Sequence, residues 1–439
     1  MKIFIETMGC PKNQNDSQMF AGALELDGHS IIDTVDDADA VIVNTCGFIE
    51  AAKKESIQAI INNIHEDKKL IVTGCLSQRY AGELYNEIPE VDLFIGVNDY
   101  DKLPELIKNI SNERDYKVST YTREEDIILN NDKFKNRKLD QNQYTATLKI
   151  AEGCDNRCTY CIIPEIRGPY RSRMMEDILS EAKHLAKSGI KELILIAQDL
   201  TAYGIDIYGK ACLSELLNKL CEIDDIKWIR LLYAYEDNID EELVDTIATQ
   251  DKICKYIDIP LQHISDNILK RMNRKSTKKS ILDKIQLLRS RIPDLVIRTT
   301  FIVGFPGETE DDFDELMDFV EKQRFERVGV FKYSREEGTP AFNMKSQIDE
   351  ETKDKRLDKI MFLQMGIANE NNQKLIDKEL EVIIDYITDD NVFIGRTKFD
   401  APDIDNEVVI NTKKEHNVGD ILKVKVIDAF DYDIVVEEI

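Results

Sequence analysis

Short apolar runs alternate with amphipathic segments along the first hundred residues of the chain. The runs predict four buried strands, at residues 2–6, 40–44, 70–73 and 91–95. Two segments between them have helical periodicity: one at 17–27, with Asp16 or Ser17 as its N-cap, and one at 51–65. Strands that alternate with helices favour a doubly wound parallel sheet. We therefore expect an α/β domain over residues 1–110.

The same alternation returns on a larger scale after residue 144. It predicts six further strands, at residues 145–150, 192–197, 228–233, 256–259, 296–302 and 327–333. Helical patterns lie between them, for example at 175–188 and 280–291. Six such units predict a TIM-like (βα)6 barrel that is partial rather than eightfold. We assign this barrel to residues 144–372 and interpret the polar stretch 111–143 before it as a linker.

Beyond a polar helical segment at 350–377, the pattern changes to short strands with alternating polarity. These strands are predicted at residues 381–386, 392–397, 407–410 and 421–429. A compact all-β tail of this kind is typical of a small barrel. We expect such a barrel over residues 373–439.

The composition is that of a globular protein, with 42% apolar and 32% charged residues. No stretch approaches the ~20 apolar residues that span a bilayer. The N-terminus becomes acidic at Glu6, before a signal-peptide core could form. We therefore expect a cytoplasmic protein with no membrane partner. The formal net charge of −26 repels polyphosphate at long range and favours a basic partner.

Nine cysteines in a large chain without an export signal indicate metal or catalytic roles rather than disulfides. Cys10, Cys46 and Cys75 each follow a predicted strand, and each lies beside a glycine. The C-terminal ends of parallel strands share one edge of a sheet, so these three thiols could meet there. The alternative is three separate buried cysteines. We favour the shared site.

The strongest chemical signal is the segment GCDNRCTYC at residues 153–161. Its CxxxCxxC spacing puts Cys154, Cys158 and Cys161 on one loop directly after a predicted strand. Sulfur ligands select iron–sulfur clusters or zinc, and zinc would prefer four ligands in two pairs. Three thiolates would leave one iron of a 4Fe–4S cluster open for substrate chemistry. A structural zinc loop is the alternative.

This motif after the first strand of a (βα) barrel resembles the radical S-adenosylmethionine (SAM) superfamily. The resemblance implies that the open iron binds the amino and carboxylate groups of SAM. One electron from an external donor then cleaves SAM, through the cluster, to methionine and a 5′-deoxyadenosyl radical. By the same resemblance, SAM contacts are expected at Tyr160, Gln198, Gln262, His263 and Val303. The usual GGE motif after the second strand is replaced here by AQD at 197–199.

Several polar residues near these motifs have two interpretations. His263 would contact the ribose of SAM or satisfy a hydrogen bond at a strand end. Three arginines would bind a carboxylate of substrate or SAM, or form surface salt bridges: Arg167, Arg171 and Arg173. The remaining cysteines lack ligand spacing and are interpreted as buried structural residues: Cys212, Cys221 and Cys254.

Three N-terminal cysteines, a radical SAM barrel and a small β module together resemble the methylthiotransferases. The resemblance implies that Cys10, Cys46 and Cys75 hold a second, auxiliary 4Fe–4S cluster. It also implies that the last module is a TRAM domain that grips the substrate. A first SAM would methylate sulfur held at the auxiliary cluster. A second would give the radical that removes a substrate hydrogen before the methylthio group is taken up. No catalytic residue is expected beyond the cluster ligands.

Within this family, the motifs favour the protein-modifying RimO type. The tRNA-modifying MiaB type carries GCQMN at the first cysteine, whereas this chain has GCPKN at residues 9–13. The segments CIIP at 161–164 and RVGVFKYS at 327–334 also resemble the RimO type. That type methylthiolates the β-carbon of an aspartate in the small-subunit ribosomal protein S-twelve. Asn15 stands where the family pattern has valine.

The charge of the last module supports the same choice. Residues 386–439 contain six basic and 13 acidic side chains, a net charge of −7. A module that grips tRNA should be basic, whereas an acidic one attracts a Lys- and Arg-rich ribosomal protein. Solubility alone is the other explanation of this charge. We therefore expect no direct nucleic-acid binding.

Two alternatives to this function stay open. One is a tRNA adenosine methylthiotransferase on the same scaffold. The other is a non-catalytic iron–sulfur protein, although such electron carriers normally close every iron with a fourth cysteine.

Overall fold

The computed structural model describes residues 1–110 and 136–439, together with the backbone of the strand Asp115–Lys117. Most of the predicted linker, residues 111–143, therefore lies outside the described residues. Its last part does not leave the fold, because Arg137 is buried and donates to the backbone oxygen of Thr147 over 2.7 Å. In the described residues, no helix is long and apolar enough to cross a membrane.

The N-terminal part is a six-stranded, all-parallel sheet in the order β2-β1-β3-β4-β5-β6. Its strands are β1 Lys2–Thr7, β2 Ser30–Ile32, β3 Ala40–Thr45, β4 Lys69–Gly74, β5 Leu93–Ile95 and β6 Asp115–Lys117. The connecting helices are Pro11–Leu26, Glu50–Asn62, Cys75–Glu87 and Leu103–Lys108, with a 3-10 turn at Val97–Lys102. Apolar clusters cover both faces, so the doubly wound arrangement is confirmed. Strand order reverses between β1 and β3, which is where such sheets bind ligands.

The first helix begins earlier than the sequence pattern predicts. Its N-cap is Cys10, so Asp16 and Ser17 lie inside the helix and the predicted N-cap is wrong. The prediction failed because the first two turns bury polar side chains, among them Asn13 and Asn15. A search for apolar periodicity cannot detect a helical face of this kind.

The central part is a second parallel sheet of six strands, in the order β14-β13-β12-β11-β10-β7. Its strands are β7 Thr145–Lys149, β10 Glu192–Ile196, β11 Trp228–Leu231, β12 Ile253–Gln262, β13 Val296–Val303 and β14 Arg327–Lys332. A small antiparallel pair follows β7, made of β8 Ala151–Glu152 and β9 Arg171–Ser172. The six-stranded partial barrel is therefore confirmed.

Helices surround this sheet and bury its apolar outer face. They are Ile163–Arg167, Met175–Lys187, Ile205–Tyr208, Leu213–Cys221, Glu241–Thr249, Asp266–Arg271, Lys278–Arg291, Glu310–Gln323 and Glu350–Gln373. Short 3-10 turns lie at Leu200–Ala202, Glu236–Asn238 and Pro340–Asn343.

The N-terminal part contacts both open ends of this partial barrel. On the β7 side, the Asn15 amide in the first helix donates to the Thr147 hydroxyl over 3.1 Å. On the β14 side, Glu336 accepts from the Arg79 guanidinium over 2.8 Å. On the β7 side, the Asn15 amide also donates to the backbone oxygen of Thr147 over 3.3 Å and so covers part of that free strand edge.

The C-terminal part is a closed five-stranded barrel in the order β15-β16-β17-β19-β18. Its strands are β15 Glu379–Ile387, β16 Phe393–Thr397, β17 Val408–Asn411, β18 Ile421–Ala429 and β19 Ile434–Glu438. The predicted small barrel is confirmed, but the sequence pattern missed β19. The barrel interior is aliphatic, with Val382, Val408 and Val436 fully buried.

This C-terminal barrel closes the floor of the central sheet, at the N-terminal ends of its strands. Arg230 donates to Glu192 over 2.8 Å, and Arg396 of β16 forms an ion pair with the same carboxylate. Tyr256 donates to Asp405 over 2.7 Å. The opposite ends of the strands, at the top of the barrel, stay available for a reaction site.

Candidate functional site

The three N-terminal cysteines lie at one edge of the first sheet. Cys10 follows β1 and caps the first helix, Cys46 directly follows β3, and Cys75 begins the helix after β4. β1, β3 and β4 are adjacent strands, so their C-terminal ends place the three residues side by side. We call these three residues the sheet triad.

Close packing at the sheet triad requires a glycine. Gly9 has a φ of +88°, and a Cβ at this position would lie 2.8 Å from the Cβ of Cys46 and 3.1 Å from its Sγ. Any other residue would push Cys46 away from Cys10. The Asn13 side chain fixes the same turn, since its amide donates to the backbone oxygens of Met8 and Thr45 over 3.0 Å each.

A buried guanidinium joins the sheet triad to the barrel. Arg167 donates to the Sγ of Cys75 over 3.3 Å, to Asn13 over 3.0 Å and to Asp16 over 2.7 Å. Burial alone would lower the pKa of Arg167, but the neighbouring Cys75 and Asp16 raise it well above its ordinary value. The arginine therefore stays charged and supplies a cation beside one thiol of the triad.

Two further buried charges extend this arrangement. Lys149 forms ion pairs with Asp16 and with Glu152, the latter over 2.8 Å. Burial raises the pKa of Glu152, but Lys149 and Arg167 outweigh it and the pKa is lowered. The result is a compact, buried cluster of two acids and two bases between the two modules.

The second set of cysteines lies on the loop between β8 and the helix Ile163–Arg167. Cys154, Cys158 and Cys161 stand there as the sequence predicts; we call them the loop triad. The loop leaves β8 through Gly153, whose φ is +81° and whose Cβ would lie 2.0 Å from the backbone oxygen of Pro169. Only glycine fits this position.

Backbone contacts hold the loop triad in the mouth of the barrel. The amide of Thr159 donates to the oxygen of Met272, and its own oxygen accepts from Ala341. The side chain of Asn156 donates to Asp199 over 2.8 Å. Segments that follow β10, β12 and β14 therefore all brace the loop.

Four thiols of the two triads are protonated near neutral pH when no metal is bound, because their pKa values are raised. Burial raises the pKa of Cys46 and of Cys154 to about 11, and it also raises the pKa of Cys75 and Cys161. Within each triad, neighbouring cysteines raise the values further. Metal binding must displace these protons, because the thiolate is the ligand.

The chemistry of the two triads fits iron–sulfur clusters better than single ions. In residues 1–110 and 136–439, no three Cys, His, Asp or Glu side chains lie close enough together to bind one metal ion. A cubane cluster instead joins each thiolate to a different iron, so its ligands stand farther apart. Three thiols per site match the ligand number of such a cluster with one iron left open, and Gly9 leaves room beside Cys46.

Of the residues expected near SAM, Tyr160 lies against the loop triad. Tyr160 is next to Cys158, and burial together with that thiol raises its pKa well above the usual value. Gln198 donates to Glu152 over 2.6 Å, while its buried side-chain oxygen has no hydrogen-bond partner among the described residues. An unpaired buried acceptor fits a donor such as the amino group of SAM.

Three other residues of this group lie at the ends of β12 and β13. Gln262 ends β12 with a φ of +69° and is half-buried. His263 is fully buried, and its Nδ1 accepts from the amide of Ser265 over 3.0 Å. The strand-end hydrogen bond that the sequence left open is therefore present. Val303 is fully buried in the apolar core.

The other polar residues singled out from the sequence are occupied within the fold. Arg173 is buried and donates to Glu181 over 2.7 Å, and Arg171 donates to backbone oxygens of Pro169 and Arg167. Surface salt bridges, one of the two interpretations, are thus wrong for these arginines, because all three are buried. Cys212 and Cys254 are buried in apolar clusters and Cys221 packs against one of them.

One contact between the two triads has no signal in the sequence. The ammonium of Lys12 lies 3.3 Å from the ring centroid of Tyr233. Lys12 is two residues from Cys10, and its charge also acts on Cys161. Tyr233 follows β11, and Cys10 contributes to the raised pKa of its hydroxyl. Because these residues are more than 200 positions apart, no local pattern could have predicted the pair.

Family models match each of the three parts of the chain. Residues 2–96 match the uncharacterized protein family UPF0004, residues 148–320 the radical SAM superfamily, and residues 376–439 the TRAM domain. Membership of the radical SAM superfamily implies SAM and a 4Fe–4S cluster as cofactors.

Among solved structures, the fold is similar to two cobalamin-dependent or methyl-transferring radical SAM enzymes. TsrM from Kitasatospora setae gives a TM-score of 0.57 at 14% identity, covering 77% of this chain and 73% of that one. OxsB gives 0.52 at 15% identity, covering 83% and 56%. At these identities the likeness concerns the fold alone.

Full-length relatives are much more similar. The chain is 51% identical to the ribosomal protein uS12 methylthiotransferase RimO of Clostridioides difficile strain 630, covering 99% of this chain and 98% of that protein. It is 50% identical to the protein of the same name from Thermoanaerobacter sp. strain X514, with 99% of both covered. The chain therefore belongs to the RimO family of radical SAM methylthiotransferases.

Proposed function

We propose that this enzyme methylthiolates the β-carbon of an aspartate in ribosomal protein uS12. The observation that supports this proposal is the meeting of two cysteine triads from different modules. Lys12, beside the sheet triad, contacts Tyr233 in the mouth of the barrel and acts on Cys161 of the loop triad. A substrate between the triads would be reached from both sides.

Each triad is assigned one 4Fe–4S cluster. The loop triad would hold the cluster that binds SAM, and the sheet triad would hold an auxiliary cluster. When bound, the first supplies the electron that cleaves SAM, and the second carries the sulfur that becomes the methylthio group. Tyr160, Gln198, Gln262 and the backbone near Val303 would orient SAM. The fully buried His263 would act through the strand end rather than by contact.

The residues between the triads have a distinct task in this proposal. Arg167 would hold Cys75 and keep positive charge beside the auxiliary cluster. Glu152 would hold Gln198, whose free oxygen would accept from the amino group of SAM. Each residue thus orients a neighbour and takes no proton during the reaction.

The choice of uS12 rests on relatives and on charge. The two relatives described above are named for this ribosomal protein. The net charge of −26 suits a basic protein substrate and opposes direct contact with RNA. We further propose a cytoplasmic site of action, an external one-electron donor, and modules at residues 1–110, 144–372 and 373–439.

The test is anaerobic turnover of the iron-loaded enzyme with SAM and a reductant. Purified uS12 and an anticodon stem-loop RNA are offered in parallel, and mass spectrometry locates any added methylthio group. Addition to one aspartate of uS12 alone is the expected result. Addition to the RNA alone would instead favour a tRNA adenosine methylthiotransferase and overturn the proposal.

Two cysteine variants separate the roles of the triads. Cys161→Ala should abolish formation of 5′-deoxyadenosine. Cys75→Ala should still form 5′-deoxyadenosine from SAM but should add no methylthio group. Cys221→Ala, which changes a cysteine outside both triads, is the matched control and should behave as wild type. If Cys75→Ala transferred the methylthio group normally, the auxiliary assignment would be wrong.

A further inference from the structure

Lys12 occupies an unusual position at the start of the first helix. It lies in the first turn after Cys10, and its ammonium rests on the ring of Tyr233 at 3.3 Å from the centroid. The two residues come from different modules, so the ammonium stands where the modules meet. Tyr233 itself lies just after the C-terminal end of β11 and has a φ of +65°.

The charge of Lys12 is not neutralised within the fold. Among the described residues, no carboxylate oxygen lies within 4 Å of its ammonium, which instead makes a cation–π contact with the ring of Tyr233. The neighbouring cations differ in this respect. Lys149 and Arg167 are fully committed to Asp16 and Glu152. Although the protein has 84 acidic residues, none of the described carboxylates pairs with Lys12. Its ammonium is therefore available to bind an anion of a substrate.

The surroundings of Lys12 favour an anion in two further ways. The helix Pro11–Leu26 begins one residue before it, and the N-terminal end of a helix carries partial positive charge. The aromatic ring holds the ammonium in place, and an ammonium with three donors can still donate a hydrogen bond to an anion. Lys12 is half-buried, so a bound anion would be partly shielded from water.

We propose that Lys12 binds the side-chain carboxylate of the aspartate that is methylthiolated. This inference rests on the proposed function, since it requires an aspartate substrate. The carboxylate is bonded to the β-carbon, so fixing it also fixes the carbon from which hydrogen is removed. A position between the two triads would bring that carbon within reach of both. Lys12 is therefore a substrate-positioning and specificity-determining residue, and it takes no part in proton transfer.

The test compares two substrates and three enzymes. The substrates are uS12 and a uS12 variant in which the aspartate located by mass spectrometry is asparagine, which has the same shape without the charge. The enzymes are iron-loaded wild type, Lys12→Met and Lys12→Arg. Dissociation constants are measured by fluorescence anisotropy in the presence of SAM, and kcat and KM are measured with the aspartate substrate.

Wild type should bind the aspartate form at least tenfold more tightly than the asparagine form. Lys12→Met should lose most of this preference, while its affinity for the asparagine form stays within about twofold of wild type. Lys12→Arg, which keeps the charge, should retain part of the preference. Lys54→Met, which removes an exposed lysine elsewhere in the same module, should change neither affinity.

Three results would overturn the inference. Wild type could bind both forms equally, Lys12→Met could keep the full preference, or it could weaken both forms alike. Iron and sulfide per chain are measured for each variant. If Lys12→Met binds less iron than wild type, the preference of Lys12→Arg for the aspartate form over the asparagine form decides instead. Failure of the proposed function looks different, because wild type would then leave uS12 unmodified.

Discussion

At the scale of single residues, Arg167 has the largest number of tasks at the site. It donates to a thiol, an amide and a carboxylate that all belong to the N-terminal module. A planar guanidinium with several donors can do this at once, whereas the ammonium of lysine cannot hold the same geometry. The sequence left open whether this arginine binds a ligand or forms a surface salt bridge, and its burial rules out the surface salt bridge.

Replacing Arg167 should therefore be costly. Arg167→Gln leaves Asp16 with one cation instead of two, and breaking a buried ion pair typically costs about 3–5 kcal/mol. We expect a fall in Tm of roughly 10 °C, measured by differential scanning calorimetry on the iron-loaded protein. Lys322→Ala, which removes an exposed pair with Asp318, should leave the Tm nearly unchanged. Equal shifts for the two variants would contradict this account.

A second prediction concerns Gly153. Gly153→Ala places a methyl group against the backbone oxygen of Pro169, so the loop that carries the loop triad must move. We expect about half of the iron to be lost, with the sheet triad still loaded. Iron and sulfide analysis with electron paramagnetic resonance measures this.

The matched control for that prediction is Gly189→Ala. Gly189 also has a positive φ, but a Cβ there meets no atom within 4 Å. It shares the backbone strain without the clash, so its iron content should equal that of wild type. Full iron loading in Gly153→Ala would show that the loop tolerates the displacement.

At the scale of helices and strands, the sequence predicts some features well and others poorly. Ten of the twelve strands of the two parallel sheets were predicted to within a few residues, and several of these are buried on both faces and therefore apolar throughout. The three-residue strand β6 lies in the segment interpreted as a linker and was not predicted. The start of the first helix was not predicted correctly, because the buried residues there are polar: Asn13, Asn15 and Asp16. β2 escaped detection because it has only three residues.

The same reasoning applies to the site. All six cysteines could be found from spacing and from their position after strands. The partners of those cysteines could not, because Arg167, Lys12 and Tyr233 meet only through tertiary packing. Local patterns identify ligands, but they carry no information on what a distant segment brings to them.

The attachment of the C-terminal barrel is a further point at this scale. Glu192 pairs with Arg230 from the central sheet and with Arg396 from β16, and all three are buried. Glu192→Gln should loosen the C-terminal barrel, at a cost of about 3–5 kcal/mol. Hydrogen exchange of the β15 and β16 amides should rise strongly.

Glu381→Gln provides the comparison for that experiment. Glu381 also lies in the C-terminal barrel, but its ion pair with Lys398 is partly exposed to solvent. Exposed pairs contribute little, so the exchange of β15 should stay close to that of wild type. If both variants exchanged alike, the buried pair would not be what holds the barrel in place.

At the scale of the whole molecule, two attached modules complete a barrel that is incomplete by itself. The N-terminal module contacts both open ends, through Asn15 on one side and Arg79 on the other. The C-terminal barrel closes the floor. Access to the reaction site is thereby limited to the top, between the two triads, where water can be excluded once substrate is bound.

The charge of the C-terminal barrel also acts at the scale of the whole molecule. If uS12 is attracted by the acidic C-terminal barrel, reversing charge there should weaken binding. Asp389→Lys with Asp390→Lys changes two exposed residues in the loop after β15. We expect a severalfold rise in the Kd for uS12 and a smaller dependence of Kd on salt, measured by anisotropy at several salt concentrations.

The control makes the same change in net charge at a different place on the protein. Asp224→Lys with Asp225→Lys alters two exposed residues of the central module by the same amount. Its effect on the Kd should be clearly smaller. Equal effects would mean that the total charge of the protein matters and that the C-terminal barrel is not a docking surface.

The contacts of Asp16 also impose an order on how the chain folds during its synthesis. They reach Lys149 and Arg167, which lie 133 and 151 positions further along the chain. A nascent chain folds its N-terminal part first. The sheet triad can therefore come together while Arg167, the cation that donates to Cys75, has not yet been translated. Arg167 follows Cys161 by six positions, so the surroundings of the sheet triad are complete only after the three cysteines of the loop triad have been made.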